Sequence, residues 1–294
     1  MMIEFLKALL YGIVEGITEW LPISSTGHLI LLNEWLPFRF TDNAELAAEF
    51  WQMFEVVIQL GAILAVVILF WNRLWPFGSR KTSIEKKQTW SLWLKVVIGC
   101  VPAGLVGVIG DKILEKISGK SIDGWLYNAV VVAIALIVYG VAFILIEKLK
   151  KPDSERIHST AELDCRTALL IGLFQMLSII PGTSRSGSTI LGAMLLGLSR
   201  TAAAEFSFFM AIPVMVGASG VKVLGFASYL SESGTSLPAV AWGALAIGCV
   251  VSFAVSMVVI RFLMDFVKRH SFSAFGYYRI ALGVLVLLYF GLVK

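Results

Sequence analysis

Charge is scarce in this 294-residue chain: Asp, Glu, Lys and Arg together make up 15% of it, against about 25% in a typical soluble domain. The chain is also 58% hydrophobic, so it has too few polar side chains to cover its apolar surface in water. One or two soluble domains, the usual expectation at this length, are therefore excluded. Disorder is excluded too, because it needs low hydrophobicity and high charge. The net charge of +4 is small and scattered, which speaks against a nucleic-acid partner. Cysteine is equally sparse. Cys100, Cys165 and Cys249 are odd in number and far apart, and no CxxC or Cys/His spacing suggests a disulfide framework or a zinc site. They are expected to be small buried apolar side chains. A small-residue cleavage site is also missing after the apolar N-terminus, which carries Glu4, Lys7, Glu15 and Glu19. That segment reads as mature protein rather than a removed signal peptide.

What is present is a series of long apolar runs, with a mean hydropathy of +0.84. A helix needs about 20 apolar residues to cross the hydrocarbon core, and six stretches meet or approach that length: 50–71, 94–109, 125–146, 203–229, 239–262 and 277–293. The runs are continuously apolar rather than alternating, so they predict helices and not barrel strands. Two further regions, 1–36 and 168–198, have apolar halves too short to span. Each is broken in the middle, by Leu21-Pro-Ile-Ser-Ser-Thr-Gly-His28 and by Ile180-Pro-Gly-Thr-Ser-Arg-Ser-Gly-Ser-Thr189. Broken backbone at membrane depth is tolerated only inside protein or beside a polar cavity. Both regions are expected to be re-entrant.

Basic residues predict the orientation. Segments 73–95, 148–166 and 261–269 hold six, five and three Lys or Arg, and the positive-inside rule puts them in the cytoplasm. Segments 33–49 and 230–238 hold one and none, which puts them outside. Segment 111–123 has three lysines, yet the alternation of six spans assigns it to the outside as well.

The two halves resemble each other. At an offset of 160, Gly12 pairs with Gly172, Glu15 with Gln175, Ser24 with Ser184, Gly27 with Gly187, and Ile30-Leu31 with Ile190-Leu191. Further on, Ala48-Glu49-Phe50 matches Ala204-Glu205-Phe206, and Ile98-Gly-Cys-Val101 matches Ile247-Gly-Cys-Val250. The expected fold is thus an all-α polytopic membrane protein with an inverted-topology repeat, each half one re-entrant hairpin plus three transmembrane helices. The first repeat covers 1–147, a cytoplasmic linker 148–166, and the inverted second repeat 167–294. Three spans is an odd number, so the second half is inverted and the two hairpin tips can meet near the midplane, where such folds place polar sites.

The tips carry the chemistry. Glu15 and Glu19 are four residues apart and share a helix face. Two carboxylates in an apolar segment are costly; they persist if they hold a divalent cation, if one keeps a proton, or as a structural hydrogen-bonding pair. Ser24, Ser25, Thr26 and Gly27 precede a helical run expected to begin near His28. That is either a cradle for phosphate oxygens or plain helix capping. His28 fits an acid/base, an anion donor or a satisfied core histidine. Arg185, with Ser184, Ser186, Ser188 and Thr189 around it, has no acidic neighbour in sequence. Its partner is expected to be the Glu pair or an anionic ligand, since arginine forks onto phosphate oxygens. His158 and His270 sit in charged loops and are expected to have no catalytic part. This inventory suits metal-assisted phosphate chemistry, and a lipid-accessible groove makes a phosphorylated lipid the natural substrate.

At these residues the sequence resembles the BacA/UppP family of bacterial undecaprenyl-diphosphate phosphatases. The matching stretches are Glu15-Gly-Ile-Thr-Glu19, 21–28, 181–189 and Phe54-Glu-Val-Val-Ile-Gln-Leu-Gly61, and the likeness runs over essentially the whole chain. The resemblance implies hydrolysis of undecaprenyl diphosphate to the monophosphate and inorganic phosphate, recycling the lipid carrier of cell-wall synthesis. It also implies a divalent cation (Mg or Ca), a link to bacitracin resistance and a multi-pass place in the bacterial inner membrane, with the site near the midplane and open to the outer side. Carried onto this chain, Glu15 and Glu19 would bind the metal or activate the nucleophile. Ser25 is the first choice of nucleophile, with Ser24, Thr26 and Gly27 as phosphate ligands. Arg185 would clamp the diphosphate, Ser184, Ser186 and Thr189 would complete the cradle, and His28 would protonate the leaving group or orient Ser25. A phosphoseryl intermediate and direct attack by water are both open at this point, and so is a homodimer. The competing reading is a transporter or flippase of a phosphorylated lipid, because broken helices meeting at the midplane are transporter-like.

Overall fold

The computed structural model describes residues 1–110, 128–149 and 155–292, with isolated positions at 113, 116, 117, 119 and 126. Among the described residues the regular elements are helical, apart from one parallel bridge between Ile157 and Leu198. In chain order they are α1 (Met2–Thr18), α2 (Ser25–Trp35), α3 (Ala44–Leu69), α4 (Trp71–Leu74) and α5 (Ser83–Leu105), which runs into a π-helical turn, Val106–Gly110. Then follow α6 (Ala129–Leu149), α7 (Cys165–Met176) with a 3₁₀ turn (Leu177–Ile179), α8 (Arg185–Leu195), α9 (Arg200–Ser233), α10 (Ala239–Arg269) and α11 (Ser273–Leu292).

Five helices, α3, α6, α9, α10 and α11, are long and apolar enough to cross a membrane. This is the architecture of a multi-pass membrane protein. The sixth expected span, 94–109, is different: it is the second half of α5 plus the π-helical turn, and α5 is not among the five. Helix α5 begins in the basic segment with Lys86 and Lys87, so only its second half is apolar, and the apolar run continues into the π-helical turn. The spans are also longer than the apolar runs implied. At 1.5 Å per residue, the 34 residues of α9 reach about 50 Å, beyond the roughly 30 Å of hydrocarbon. The expected loop 111–123 and the start of the 125–146 span lie largely outside the described residues. The cysteines depart from expectation as well: Cys100 and Cys249 are half-buried, and Cys165 is exposed at the start of α7.

Both regions expected to be broken are broken. Each consists of a helix, an irregular stretch holding the proline, and a second helix of 11 residues. Ser24 and Ser184, paired at the repeat offset, are the non-glycine residues with positive φ among those described, at 74° and 70°. Each immediately precedes the second helix of its pair. An L-residue held there stores about 1–3 kcal/mol, and such strain concentrates at functional sites.

Two compact units divide the chain, and each draws on both sequence halves. The first comprises Met1–Trp20, Ser25–Leu69 and Ala211–Phe262. Its core is an aromatic cluster of Tyr11, Phe38, Phe50 and Phe54. The Tyr11 hydroxyl donates to the Leu36 carbonyl at 3.0 Å, tying the end of α2 back to α1. In lipid such contacts are favoured by packing rather than by exclusion of water.

The second unit comprises Leu21–Ser24, Phe70–Met210 and Leu263–Lys294. Its α6 and α11 cross at Gly140 and Gly276, where a Cβ on either glycine would lie 2.7 Å from the other's carbonyl oxygen. Small residues at a crossing let membrane helices approach this closely. The crossing matters for function, because it carries Arg279, one turn beyond Gly276, into the interior. Buried Glu147 anchors the unit's polar end. It accepts hydrogen bonds from Arg200 at 2.9 and 2.6 Å and from the Phe272 backbone N–H at 2.8 Å.

Candidate active site

In the first unit α1 ends one residue short of Glu19, whose own N–H still bonds the Glu15 carbonyl. Proline at 22 forces the chain out of the helix, and the next helix starts at Ser25. That start is earlier than expected: Ser25, Thr26 and Gly27 form the first turn of α2, and half-buried His28 is its fourth residue. The six-residue reversal brings the Ser25 hydroxyl onto Glu19 Oε2, to which it donates at 2.6 Å. Both side chains are buried, Glu19 at 6% exposure and Ser25 at 8%. The bond is at the short end of the range for a hydroxyl on a carboxyl oxygen. A hydroxyl donating to a buried carboxylate is the arrangement of an activated nucleophile. Because Ser25 is the first residue of a helix, nearby backbone N–H groups and the positive end of the dipole favour an anion beside it. Glu15, one turn before Glu19, is fully buried.

In the second unit the 180–184 stretch leads into α8. Ser184 caps that helix through its hydroxyl, which accepts from the Gly187 N–H at 3.1 Å and lies 3.1 Å from the Ser186 hydroxyl. The Ser184 side chain thus takes up one of the free N–H groups of the first turn,. Half-buried Arg185 donates through Nη1 to the Ser207 carbonyl at 2.8 Å. A backbone carbonyl of α9 is thus one of its partners, where sequence had suggested only a carboxylate or a ligand. The Thr189 hydroxyl donates to the Arg185 carbonyl at 2.9 Å and shares a 2.6 Å bond with the Ser207 hydroxyl. Thr189 therefore braces the turn that carries Arg185. Ser188, fully buried, donates to the Tyr139 hydroxyl at 3.1 Å.

Arg279 has no place in the sequence reading and is central here. It is fully buried. Its Nη1 donates to the Pro22 carbonyl at 2.9 Å, and its Nη2 donates to the Gly182 and Thr183 carbonyls at 2.6 and 2.9 Å. One guanidinium therefore ties the first helix break to the second. Its carbon lies 5.3 Å from the centre of the Tyr139 ring, a cation–π contact,. Gly182 makes the clasp feasible: its φ is +93°, and a Cβ there would sit 2.5 Å from the Val132 carbonyl oxygen,. The sequence signal was available, since an arginine inside an apolar span is expensive for the same reason as Arg185.

A family profile described as "Bacitracin resistance protein BacA" matches residues 8–285. The chain belongs to this family. Among its curated relatives are proteins named undecaprenyl-diphosphatase. One from Enterococcus faecalis is 50% identical over 288 residues, covering 97% of each chain. One from Acetivibrio thermocellus is 51% identical, covering 98% of each. One from Streptococcus mutans is 52% identical, covering 99% of this chain and 97% of its own.

The BacA residues at the first break also bear on the divalent cation. Glu15, Glu19 and Ser25 offer only oxygen, the donor type that Mg and Ca prefer. Among the described residues no group of three or more His, Cys, Asp or Glu is placed to hold an ion. A cation on the Glu pair would therefore complete its shell with phosphate oxygens and water, the usual habit of Mg. The donor set fits a cation shared with a phosphorylated substrate.

Proposed function

We propose that the chain is an undecaprenyl-diphosphatase, an integral membrane hydrolase that cleaves the terminal phosphoryl group from undecaprenyl diphosphate. The single observation that carries this reading is the buried 2.6 Å bond from the Ser25 hydroxyl to Glu19 at the start of a helix. The names of relatives at about half identity support the substrate, and they lend the transporter or flippase reading no support.

In this reading the Ser25 oxygen attacks the terminal phosphorus while Glu19 takes its proton. The bond to the bridging oxygen breaks, and undecaprenyl monophosphate leaves. Water then cleaves the phosphoserine, releasing inorganic phosphate and restoring Ser25. The free N–H groups of the first turn of α2, together with Ser24, Thr26 and Gly27, receive the equatorial oxygens. Arg185, on the first turn of α8, clamps the diphosphate and offsets charge on the transferring group; Ser184 and Ser186 extend that cradle, and Thr189 holds its turn. His28 protonates the leaving oxygen. Glu15 and Glu19 are the residues that would hold Mg or Ca, which when bound supplies charge neutralisation at the phosphate oxygens.

The same reading places the protein in the bacterial inner membrane, with segments 73–95, 148–166 and 261–269 in the cytoplasm and the two halves as inverted repeats. The matched positive-φ serines and the paired helix–break–helix segments support the repeat. Phosphate release from a prenyl diphosphate by the purified protein in detergent tests the function. Release that depends on Mg or Ca and is lost in Glu19→Ala and Arg185→Ala is expected. Turnover retained in either variant overturns the site assignment.

A further inference from the structure

A second polar site lies away from the helix breaks, at the end of α3. Segment 70–95 carries Arg73, Arg80, Lys81, Lys86, Lys87 and Lys95 with Glu85 as its one acid. Glu85 is turned to the start of α5, where its carboxylate accepts from the Thr82 N–H and hydroxyl. Four of the six aromatic rings in the same segment form a chain of contacts. Trp71 and Trp75 stack at 4.8 Å, Trp75 meets Phe77 at 5.4 Å, and Phe77 meets Trp90 at 5.8 Å. All four are exposed, by 42% to 65%. They cluster immediately after an apolar spanning helix, at the level where aromatic side chains sit in the membrane–water interface.

The turn between these rings is held in place. The Trp93 indole N–H donates to the Leu74 carbonyl at 2.7 Å, the Lys81 N–H closes a turn onto Gly78 at 3.1 Å, and Lys81 Nζ donates to Thr89 at 2.9 Å. Against this turn lies a cavity of about 210 Å³, whose polar lining is Asn72, Ser79, Arg80 and Lys81 and whose apolar wall is Trp71 and Trp75. No carboxylate lines it. Exposed Arg80 has no hydrogen-bond or ion-pair partner among the described residues.

We propose that this cavity binds the phosphate headgroup of an anionic phospholipid, with Arg80 and Lys81 meeting the phosphodiester and the stacked indoles lying along its glycerol and upper acyl chains. Two cations on a lining without a carboxylate, with Glu85 near Lys81 but bonded to Thr82 outside that lining, favour a net negative headgroup,. The tryptophan wall at interface depth selects one attached to a lipid, since a free anion would leave those rings unused. The proposal stands apart from the phosphatase reading, because none of these residues belongs to the proposed catalytic machinery.

Native mass spectrometry of the full-length protein in detergent, titrated with phosphatidylglycerol, phosphatidylcholine or inorganic phosphate, tests it. One phosphatidylglycerol retained per chain is expected, with phosphatidylcholine retained weakly. Arg80→Gln should weaken retention about fivefold, the worth of one cation at a membrane surface. Trp75→Ala should weaken it as well, and Arg80→Lys should restore it. Phosphate release by Arg80→Gln in the same detergent should match the unaltered protein, which checks folding. Equal retention of phosphatidylcholine, unchanged retention in both Arg80→Gln and Trp75→Ala, or displacement of the lipid by millimolar phosphate would each overturn the proposal.

Discussion

Replacing Arg279 separates the stability of the fold from the order of its helix breaks. The guanidinium makes three charge-assisted bonds to carbonyls of Pro22, Gly182 and Thr183. Leaving each acceptor unmet costs about 1–3 kcal/mol. Burying the charge itself costs several kcal/mol, however, and an apolar side chain of similar length relieves that cost. In Arg279→Met the two effects oppose each other, so global stability should move by no more than about 2 kcal/mol. The breaks lose their common tie in any case. A displacement of about 1 Å at a reacting group is worth roughly 100-fold in rate, so kcat should fall by about that factor. Arg279→Lys keeps the charge but lacks the fork. It can reach one or two of the carbonyls and should lose about tenfold, near 1.4 kcal/mol. The assay pairs phosphate release, with kcat and KM resolved, with thermal unfolding followed by circular dichroism in detergent. A kcat for Arg279→Met within about threefold of the unaltered protein would refute the positioning argument. So would equal losses in the Met and Lys variants.

Further variants probe the remaining contacts. Gly182→Ala should unfold at lower temperature and lose activity, because its methyl group would sit 2.5 Å from the Val132 carbonyl oxygen and φ is +93°; normal activity would show that the break tolerates rearrangement. Thr189→Val removes the hydroxyl that braces Arg185 and shares a bond with Ser207. It should cost about 1–2 kcal/mol in transition-state stabilisation, measured as kcat/KM, and a change confined to melting temperature would reduce Thr189 to a packing residue. Removing divalent cations with EDTA should abolish phosphate release, and Ca or Mg should restore it. Glu15→Gln should shift the cation concentration for half-maximal rate upward, and an unshifted curve would take Glu15 out of the cation site.

Much of this architecture was legible in sequence because the bilayer makes local chemistry expensive. Pro22 and Pro181 within apolar stretches can be accommodated in few ways, and helix–break–helix is what the structure shows at both. The Glu15/Glu19 spacing likewise pointed to one helix face, and both residues are on or at the end of α1. What pattern could not show was closure in space. The Ser25–Glu19 bond depends on how tightly the chain reverses over six residues, which the helix start at Ser25 rather than near His28 decides. Arg185 calls for an anion by sequence, yet the Ser207 carbonyl of α9, which no local pattern marks, is one of its partners. Arg279 and Glu147 are further buried charges inside or beside apolar runs that no motif marks, and Glu205 enters the sequence reading only through the repeat. Glu205 is held by Arg73 and Thr160, residues 132 and 45 positions away, and no local pattern joins them. The α5 helix joins a charged first half to an apolar second half, so the apolar run 94–109 does not mark where the helix begins.

The central claim is that Glu19 and Ser25 act as one unit, and a double-variant comparison tests it most directly. Single-turnover phosphate release from undecaprenyl diphosphate should be measured for Glu19→Gln, Ser25→Ala and the pair combined. Groups that act together give losses that do not add, so the double variant should be no slower than the slower single variant. Losses that multiply, or substantial turnover in Ser25→Ala, would contradict the account.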